Sequence, residues 1–381
     1  MLKIICIKIV SLMLKIFWIF PIKKNRIIFI SYAGVNINCN PKYIYKYMQN
    51  TNLTCEYIWV AEKFDEFSTN KSNTKFVVNK SFYYYYYALT SAVYITNDGL
   101  SAVLPFRKKQ TIINTWHGGG NYKSSGMGGN SQINLSDQYS ISKMAKSLTW
   151  FISSSKVFSV NMEKFYLIPE NKILSIGMPR NDQFFSISKD DKIKREVRKK
   201  FNIDDRCGIV LYTPTFRGSA SGNEENGFDI NIDKLKKSLE DRFRKPFKIV
   251  YRMHHAAERP TVNDDVIDGS DYIDSQHLLQ AADILISDYS SILWDFSLTM
   301  KPSFIFAPDL GKYTTEDRGF TSEISSWPFP VAENNQELAH NISCFDDQDY
   351  QKMITKHHQN LGSFETGSAT KKICTLITEL L

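Results

Sequence analysis

The chain has 381 residues, of which 43% are hydrophobic and 23% are charged. A chain of this length is too long for one ordinary hydrophobic core and fits two domains of roughly 150–200 residues. The composition is that of a globular protein. The net charge of +7 is modest, so it permits an anionic partner such as a phosphate, a nucleotide or a lipid headgroup without identifying one.

The first 25 residues form an apolar segment that is interrupted by Lys3, Lys8 and Lys15. The longest lysine-free run is shorter than the ~20 residues that span a bilayer, and no small-residue cleavage site follows it. Because Lys8 and Lys15 are seven residues apart, we expect them to share one face of an amphipathic helix. The segment therefore predicts an interfacial helix on an anionic membrane, with docking on the protein's own domain as the alternative.

Residues 26–182 alternate short apolar runs with helical stretches. The predicted strands are 26–32, 55–61, 74–79, 92–98, 109–116, 150–155 and 172–177, and 41–50 and the aromatic-rich 81–92 are predicted helices. Strands that alternate with helices predict a mostly parallel, doubly wound sheet. This segment is the expected N-terminal α/β domain.

The composition changes at 183–205, which is highly charged and lacks a core-facing stripe. We interpret it as an exposed helix and linker. Apolar runs resume at 208–216, 247–255, 271–275, 284–290 and 301–309. Residues 206–381 are therefore the expected C-terminal α/β domain.

The six cysteines are Cys6, Cys39, Cys55, Cys207, Cys344 and Cys374. No two are close in sequence, so the spacing of a zinc site is missing, and we predict free thiols in a reducing compartment. A pair formed by distant cysteines is the alternative. The sequence predicts no metal and no cofactor.

The stretch NTWHGGG ends a predicted strand with His117 and three consecutive glycines, Gly118, Gly119 and Gly120. Glycines let backbone N–H groups approach a phosphate, and an imidazole accepts a proton near neutral pH. Lys123, shortly after, adds positive charge. The pattern indicates a functional loop, and a glycine-rich turn with an exposed histidine is the alternative.

Other predicted strands also end in polar loops, where ligands bind in doubly wound sheets. YTPTFRG carries Thr213, Thr215 and Arg217, and YRMHH carries Arg252, His254 and His255. Cation and imidazoles together suit an anion, whereas a metal site lacks a carboxylate or cysteine at ligand spacing. Arg180 in GMPRND is a phosphate ligand by residue type, although most such arginines are surface residues.

In ISDYSSILWDF a predicted strand runs into a helix, which places Ser290 and Ser291 at the helix N-terminus. Free N–H groups and the helix dipole favour a phosphate there, and plain capping by serine is the alternative. Asp295 lies one turn further along. The sequence has no P-loop, and no GxGxxG fingerprint follows a first strand. Because both α/β domains end strands in loops that suit phosphate, we expect a nucleotide diphosphate in a cleft between the domains.

These segments resemble the CDP-glycerol:poly(glycerophosphate) glycerophosphotransferases of teichoic acid and capsule synthesis. The matching segments, in chain order, are PIKKNRIIFISY, CNPKYIYKY, TNDGL, NTWHGGG, GMPRND, YTPTFRG, YRMHH, ISDYSSILWDF and APDLGKYTTEDRGF. The resemblance implies a GT-B-type α/β fold with two Rossmann-like domains. Residues 26–182 would form the acceptor-side domain and residues 206–381 the CDP-alditol-binding domain. The resemblance also implies transfer of an alditol phosphate, glycerol phosphate above all, from a CDP-alditol to a hydroxyl of a membrane-linked acceptor, with release of CMP.

The resemblance assigns His117 as the general base and His254 as the group that binds or protonates the leaving phosphate. The residues that it implies as substrate contacts are Gly118, Gly119, Gly120, Asn121, Arg180, Thr215, Phe216, Arg252, Met253, Ser290, Ser291, Asp295 and Arg318. Phe216 stands where the family usually has tryptophan, and His255 where it often has proline. Gly119 and Gly120 replace a frequent Thr-Pro, which loosens the loop.

The implied partners are a CDP-alditol donor, a lipid-linked glycan or polymer acceptor and the anionic inner membrane surface, to which the protein binds peripherally. No nucleic acid is expected, and the sequence is compatible with a homo-oligomer. A GT-B sugar transferase or epimerase that uses a UDP-sugar is the alternative enzyme, and a non-catalytic peripheral membrane protein is the alternative from another class.

Overall fold

The computed structural model describes residues 1–62, 73–120, 122–128, 133–186, 191–215, 230–253, 265–316 and 319–381, without the side chains of 314–316. The chain divides into two units. The first unit comprises Met1–Gly119, Ser125–Gln183 and Gly362–Leu381, and the second comprises Gly120–Ser124 and Phe184–Leu361.

The first unit is built on a parallel sheet of seven described strands in the order β3-β2-β1-β4-β5-β6-β7. The strands are β1 Lys23–Ile30, β2 Glu56–Val60, β3 Thr74–Val77, β4 Ser91–Thr96, β5 Thr111–Asn114, β6 Trp150–Ser153 and β7 Ile173–Ser175. Their side chains point to both faces of the sheet, and both faces are buried, as the near-continuous apolar runs predict.

The helices of the first unit pack on this sheet or on one another. They are α1 Leu2–Leu14, α2 Cys39–Gln49, α3 Phe82–Thr90, α4 Leu135–Ser147 and α5 Lys156–Tyr166, with the C-terminal helix Ala369–Leu380 added from the far end of the chain. Side-chain oxygens of Asn38, Ser81, Asn134 and Ser155 accept hydrogen bonds from the first turns of α2 to α5 and so fix where these helices begin.

Helix α1 lies against α4 of the same unit. Lys3 Nζ is 3.8 Å from Asp137 Oδ1, and Lys8 Nζ lies 5.9 Å from the centre of the Tyr139 ring. The expected amphipathic division is not confirmed, because α1 has no buried residue and its apolar side chains are largely exposed. Lys15 does not continue the helix with Lys8, since α1 ends at Leu14 and a 3₁₀ segment follows at Lys15–Ile19.

The second unit contains a parallel sheet of six described strands in the order β10-β9-β8-β11-β12-β13. The strands are β8 Gly208–Thr213, β9 Phe247–Tyr251, β10 Val266–Asp268, β11 Ile284–Ser287, β12 Ser303–Phe306 and β13 Val331–Ala332. Its helices are α6 Lys192–Phe201, α7 Ile232–Phe243, α8 Ser275–Ala281, α9 Ile292–Ser297, α10 Leu310–Glu316, α11 Asn335–Ser343 and α12 Asp347–Leu361.

The strand predicted at 271–275 is wrong, because the edge strand β10 lies earlier, at Val266–Asp268. Asp268 Oδ1 accepts a hydrogen bond from the Ser270 N–H, and the Tyr272 N–H donates to the Gly269 carbonyl. These bonds close a turn in the segment whose apolar residues suggested a strand. All six cysteines are free thiols in the structure.

The structure groups three segments differently from the sequence-based division at 26–182, 183–205 and 206–381, and the first of them is Gly120–Ser124, which belongs to the second unit. The C-terminal helix, α13 Ala369–Leu380, belongs to the first unit, where Cys374 Sγ lies 3.8 Å from the Ile44 carbonyl oxygen of α2. Helix α6, which lies in the stretch expected as an exposed helix and linker, belongs to the second unit. Its Val197 and Arg198 are buried, and the Arg198 guanidinium donates to two loop carbonyls.

Candidate active site

Each sheet reverses its strand order at one position, which we call its switch point. In doubly wound folds the ligand crevice opens there, beyond the carboxyl ends of the strands. In the first unit this point lies between β1 and β4, and in the second unit between β8 and β11. The loops that leave these strands carry Tyr32 and Asn97 in the first unit, and Thr215 and Asp288 in the second.

His117 follows β5, the strand next to β4 in the first unit. Its Nδ1 lies 2.8 Å from the backbone carbonyl oxygen of Asn97. A carbonyl oxygen only accepts hydrogen bonds, so Nδ1 carries the proton and Nε2 carries the lone pair. The main chain therefore holds the imidazole in the tautomer that a general base requires.

Burial lowers the pKa of His117, and the nearby positive charge of Arg180 lowers it further, while the hydrogen bond to Asn97 and the negative charge of Asp98 act in the opposite direction. The net effect is a reduced pKa. The imidazole is consequently neutral at pH 7 and able to accept a proton.

Arg180 is almost completely buried, at 4% exposure, next to the loop that carries His117. Its Nη1 donates to the His117 carbonyl oxygen at 2.7 Å and lies 3.1 Å from Cys39 Sγ, while its backbone N–H donates to Asn40 Oδ1 at 3.0 Å. Asn40 Nδ2 in turn donates to the Trp116 carbonyl at 2.9 Å. These contacts brace the backbone around His117, and the donor contact expected of Arg180 stays a prediction.

The rest of the PRND segment holds α13 in place. Asp182 accepts hydrogen bonds from the backbone N–H groups of Ala369 and Thr370, at 3.0 and 2.7 Å, and so caps the start of that helix. Asn181 Nδ2 donates to Glu365 Oε1 at 3.1 Å. This motif therefore has a structural role that the sequence alone did not reveal.

Left-handed backbone is concentrated around His117. Trp116, Tyr32, Ala33 and Cys39 have φ values of 51°, 47°, 53° and 58°. For a residue with a Cβ this conformation costs roughly 1–2 kcal/mol. Such residues persist only where neighbouring contacts enforce them, and they gather at functional sites.

The glycine-rich loop passes from the first unit to the second in sequence, since Gly118 and Gly119 group with the first and Gly120 with the second. Gly120 has a φ of +69°, and a Cβ there would lie 2.8 Å from the Tyr122 ring and 3.0 Å from Trp294 Cβ. Tyr122 is itself buried in the second unit's core, with its ring 4.4 Å from that of Trp327 and its hydroxyl 3.0 Å from His357 Nε2. Close packing therefore requires a glycine at position 120.

Thr215, directly beyond β8, is held by the buried carboxylate of Asp288. Its N–H donates to Asp288 Oδ2 at 2.7 Å, and its hydroxyl donates to Oδ1 at 2.5 Å. Lys123 Nζ lies 3.4 Å from the same hydroxyl and 5.6 Å from the centre of the Tyr313 ring. The structure thus brings a hydroxyl, a carboxylate and an ammonium group together at the switch point of the second sheet.

Ser290 and Ser291 precede the short helix α9, as expected. Ser291 is the N-cap residue, but its side chain makes no capping hydrogen bond, while Ser290 Oγ accepts weakly from the Ile292 N–H at 3.4 Å. Asp295 is buried at 1% exposure, and its Oδ2 accepts a hydrogen bond from Gln276 Nε2 at 3.0 Å. Asp295 therefore packs inside the unit.

Arg252 and Met253 follow β9. The Arg252 guanidinium donates to the carbonyl oxygens of Gly269 and Tyr272, and Met253 is buried, with its N–H donating to Ser270 Oγ at 3.1 Å. Both residues stabilise the turn after β10. The predicted site residues Asn121, Phe216, His254 and Arg318 lie outside the described residues, as does Arg217.

Three residues that the sequence reasoning did not assign to the site are prominent in the structure: Asn97, Asp288 and Tyr32. Each directly follows a predicted strand or lies within two residues of its end, so their position at a switch point was the available signal. Within the described ranges, no group of three or more His, Cys, Asp or Glu residues is arranged to hold a metal ion.

Comparison with known proteins relates the chain to teichoic acid enzymes. It is 27% identical to the teichoic acid glycerol-phosphate transferase of Staphylococcus aureus, over 93% of this chain and 93% of that protein. It is 29% identical to the teichoic acid poly(glycerol phosphate) polymerase of Staphylococcus epidermidis over 93% of this chain, but it spans only 51% of that longer polymerase.

The fold is similar to that of the wall teichoic acid polymerase TagF, in a structure of its H548A variant. The TM-score is 0.84 at 26% identity, covering 99% of this chain and 95% of that one. This similarity confirms the GT-B-type α/β fold. The family model for CDP-glycerol:poly(glycerophosphate) glycerophosphotransferases matches residues 12–379. The chain therefore belongs to this family of transferases.

Proposed function

We propose that this protein transfers glycerol phosphate from CDP-glycerol to a hydroxyl of a membrane-linked glycan or poly(glycerol phosphate) acceptor, releasing CMP, in teichoic acid or surface polysaccharide synthesis. Family membership supports the reaction class. The observation that carries the mechanism is the hydrogen bond between His117 Nδ1 and the Asn97 carbonyl, because it leaves Nε2 as a proton acceptor.

In the proposed step the acceptor hydroxyl attacks the β-phosphorus, which bears the glycerol. The proton of the hydroxyl passes to His117 Nε2, the new O–P bond forms, and the bond from this phosphorus to the bridging oxygen breaks, so that CMP leaves. Positioned general-base assistance contributes about 10²- to 10⁴-fold to such a step. His254 is the proposed group that neutralises the leaving phosphate.

The donor's pyrophosphate is proposed to bind at the second unit's switch point. Ser291, whose hydroxyl is not used for capping, supports this role, as does the positive charge of Lys123 beside Thr215. Charge that spreads over the phosphoryl oxygens in the transition state is stabilised by such prearranged groups. The substrate contacts proposed from the family resemblance are Gly118–Gly120, Asn121, Arg180, Thr215, Phe216, Arg252, Met253, Ser290, Ser291, Asp295 and Arg318.

The test is CMP release from a panel of nucleotide donors with a lipid-linked, glycerol-phosphate-terminated acceptor. We expect CMP from CDP-glycerol, less from CDP-ribitol, and no nucleotide release from UDP-sugars. Product length measured by mass spectrometry separates addition of one unit from polymerisation. Turnover of a UDP-sugar in place of CDP-glycerol would contradict the proposal and favour a sugar transferase or epimerase.

We also propose that the protein binds peripherally to the inner membrane surface through its N-terminal apolar surface, defined by Leu2, Ile5, Ile9, Leu12, Met13, Ile16, Trp18, Ile19 and Phe20. All of these side chains are exposed, which is unusual for so many neighbouring apolar residues. Lys15, Lys23 and Lys24 are exposed nearby and suit anionic headgroups. Within the described ranges, the helices include none with the length and apolarity that crossing a bilayer requires.

Co-sedimentation with vesicles that contain anionic lipid tests this proposal. Replacing Ile5, Ile9 and Leu12 together by serine should abolish vesicle binding while leaving CMP release toward a water-dispersed acceptor unchanged. Val160→Ser is the matched control, because Val160 is 55% exposed on α5 of the same unit. Unchanged vesicle binding in the triple variant would exclude this surface as the attachment site.

A further inference from the structure

The loop that follows β1 contains a run of three residues in left-handed backbone conformation. Tyr32, Ala33 and Gly34 have φ values of 47°, 53° and 90°. Two of the three carry a Cβ, for which this conformation is costly, and a whole turn of it is rare. The loop lies beside the strand-order reversal between β1 and β4, where a ligand crevice is expected.

Contacts from three other segments hold this loop in place. The Tyr32 N–H donates to Asn97 Oδ1 at 2.9 Å, Asn79 Nδ2 donates to the Ala33 carbonyl at 2.6 Å, and the Glu62 N–H donates to the Gly34 carbonyl at 2.8 Å. The conformation is therefore enforced by the surrounding fold, which is the arrangement in which strained residues serve a site.

Asn97 connects this loop to the proposed base. Its side-chain oxygen fixes the backbone of Tyr32, and its backbone carbonyl fixes His117 Nδ1 at 2.8 Å. As a result, the half-buried Tyr32 ring lies 6.0 Å from the imidazole, centre to centre, and is tilted by 57°. Trp116 stacks on the same imidazole at 5.0 Å and 19°. The imidazole is thus flanked by two aromatic side chains, of which Tyr32 belongs to the switch-point loop.

We propose that Tyr32 is a specificity-determining residue of the acceptor subsite, where its ring packs against the carbon chain of the attacking polyol and directs the terminal hydroxyl toward His117 Nε2. This inference rests on the proposed function of His117 as the base. An aromatic face suits the C–H groups of a polyol or sugar, while the hydroxyls of such an acceptor remain available for the base and for water. The ring acts on the acceptor and has no part in holding the nucleotide donor.

The role of Tyr32 is tested by steady-state measurements of CMP release, which give the KM values for donor and acceptor. The donor is CDP-glycerol, and the acceptor is a glycerol-phosphate-terminated, short-chain acyl analogue. Tyr32→Asn removes the ring but keeps a residue type that tolerates left-handed backbone. We expect its KM for the acceptor to rise at least 10-fold, with the KM for CDP-glycerol unchanged within 2-fold. Tyr32→Phe keeps the ring face and should stay within 3-fold of the wild type in both constants.

Tyr47→Asn is the matched control, because Tyr47 is partly exposed on α2 of the same unit, and both of its KM values should be those of the wild type. An unchanged acceptor KM in Tyr32→Asn, or an equal rise in both KM values, would overturn the inference. If Tyr32→Asn fails to fold, a rise of 10-fold or more in both KM values of Tyr32→Phe would overturn it instead. Failure of the proposed function is a separate outcome, since the wild type itself would then release no CMP.

Discussion

His117 Nδ1 and the carbonyl oxygen of Asn97 are joined at 2.8 Å across the carboxyl ends of two neighbouring strands, β5 and β4. The partner of the imidazole is therefore a main-chain atom whose position is set by the sheet itself. A side-chain carboxylate would favour the protonated imidazole, whereas a neutral carbonyl fixes the tautomer with a smaller effect on the pKa. This arrangement suits a base that must be neutral before the reaction.

We expect His117→Ala to lower the rate of CMP release by about 10²- to 10⁴-fold, because the acceptor hydroxyl loses its proton acceptor. In the wild type the rate should fall as the pH drops through the pKa of His117, which burial places below 6.5. His340→Ala, on α11, is the control and should keep both the rate and the pH profile. Full activity of His117→Ala would refute the role of this residue as the base.

Arg180→Met should shift the acid limb of the pH–rate profile to higher pH. The positive charge of Arg180 lowers the pKa of His117, so its removal makes the imidazole easier to protonate. The loss of the hydrogen bond to the His117 carbonyl should also lower the free energy of unfolding by about 1–3 kcal/mol. Arg206→Met, at an exposed arginine, should change neither quantity. An unmoved acid limb in Arg180→Met would argue against this electrostatic coupling.

Gly120→Ala should destabilise the protein by roughly 1–3 kcal/mol, since a Cβ would meet the Tyr122 ring and Trp294 at 2.8–3.0 Å and the backbone is left-handed. Gly99→Ala is the matched control, because a Cβ there meets nothing within 4 Å. Thermal melting of both variants provides the comparison. Equal melting temperatures would mean that the close packing around position 120 relaxes without cost.

His357 and His358 should make the stability of the second unit depend on pH. Burial lowers the pKa of each to about 4, so the folded protein binds fewer protons than the unfolded chain between pH 6.5 and 4. Stability is fully present above pH 6.5 and should fall toward pH 4, by at most ~1.4 kcal/mol per pH unit for each histidine. Urea unfolding at pH 7 and pH 5 tests this slope. The double variant His357→Gln, His358→Gln should reduce it, and an undiminished slope would assign the effect to other groups.

The local pattern of the sequence was sufficient to predict most of the strands and helices of the fold. The runs at 26–32 and 284–290, for example, were predicted as strands, and β1 and β11 lie within or overlap them. Their β-branched and aromatic residues favour strands, and the polar residues that follow each run mark the end at which ligands bind. Where a short apolar run also fits a turn, as at 271–275, local pattern misplaced the strand, because hydrogen bonds from Asp268 and Gly269 decide the conformation there.

The hydrogen-bond partners of Arg180 and Asn97 could not be predicted from the local sequence pattern. Arg180 lies 63 residues after His117, whose carbonyl accepts a hydrogen bond from the Arg180 guanidinium. Asn97 lies 65 residues after Tyr32, whose backbone N–H donates to the Asn97 side-chain oxygen. The sequence does not show that the Arg180 guanidinium binds a backbone carbonyl. Only the fold shows which carbonyl faces the guanidinium.

The sequence by itself determined the two α/β segments, the family and the loop that carries the proposed base, because these follow from periodicity, strand ends and motifs within a few residues of one another. Tertiary structure decided which atoms surround His117, that α13 belongs to the first unit, and that Tyr122 is a core residue of the second. Contacts of this kind join residues that are far apart in the chain, and their energies depend on which side chains the completed fold brings within a few ångströms.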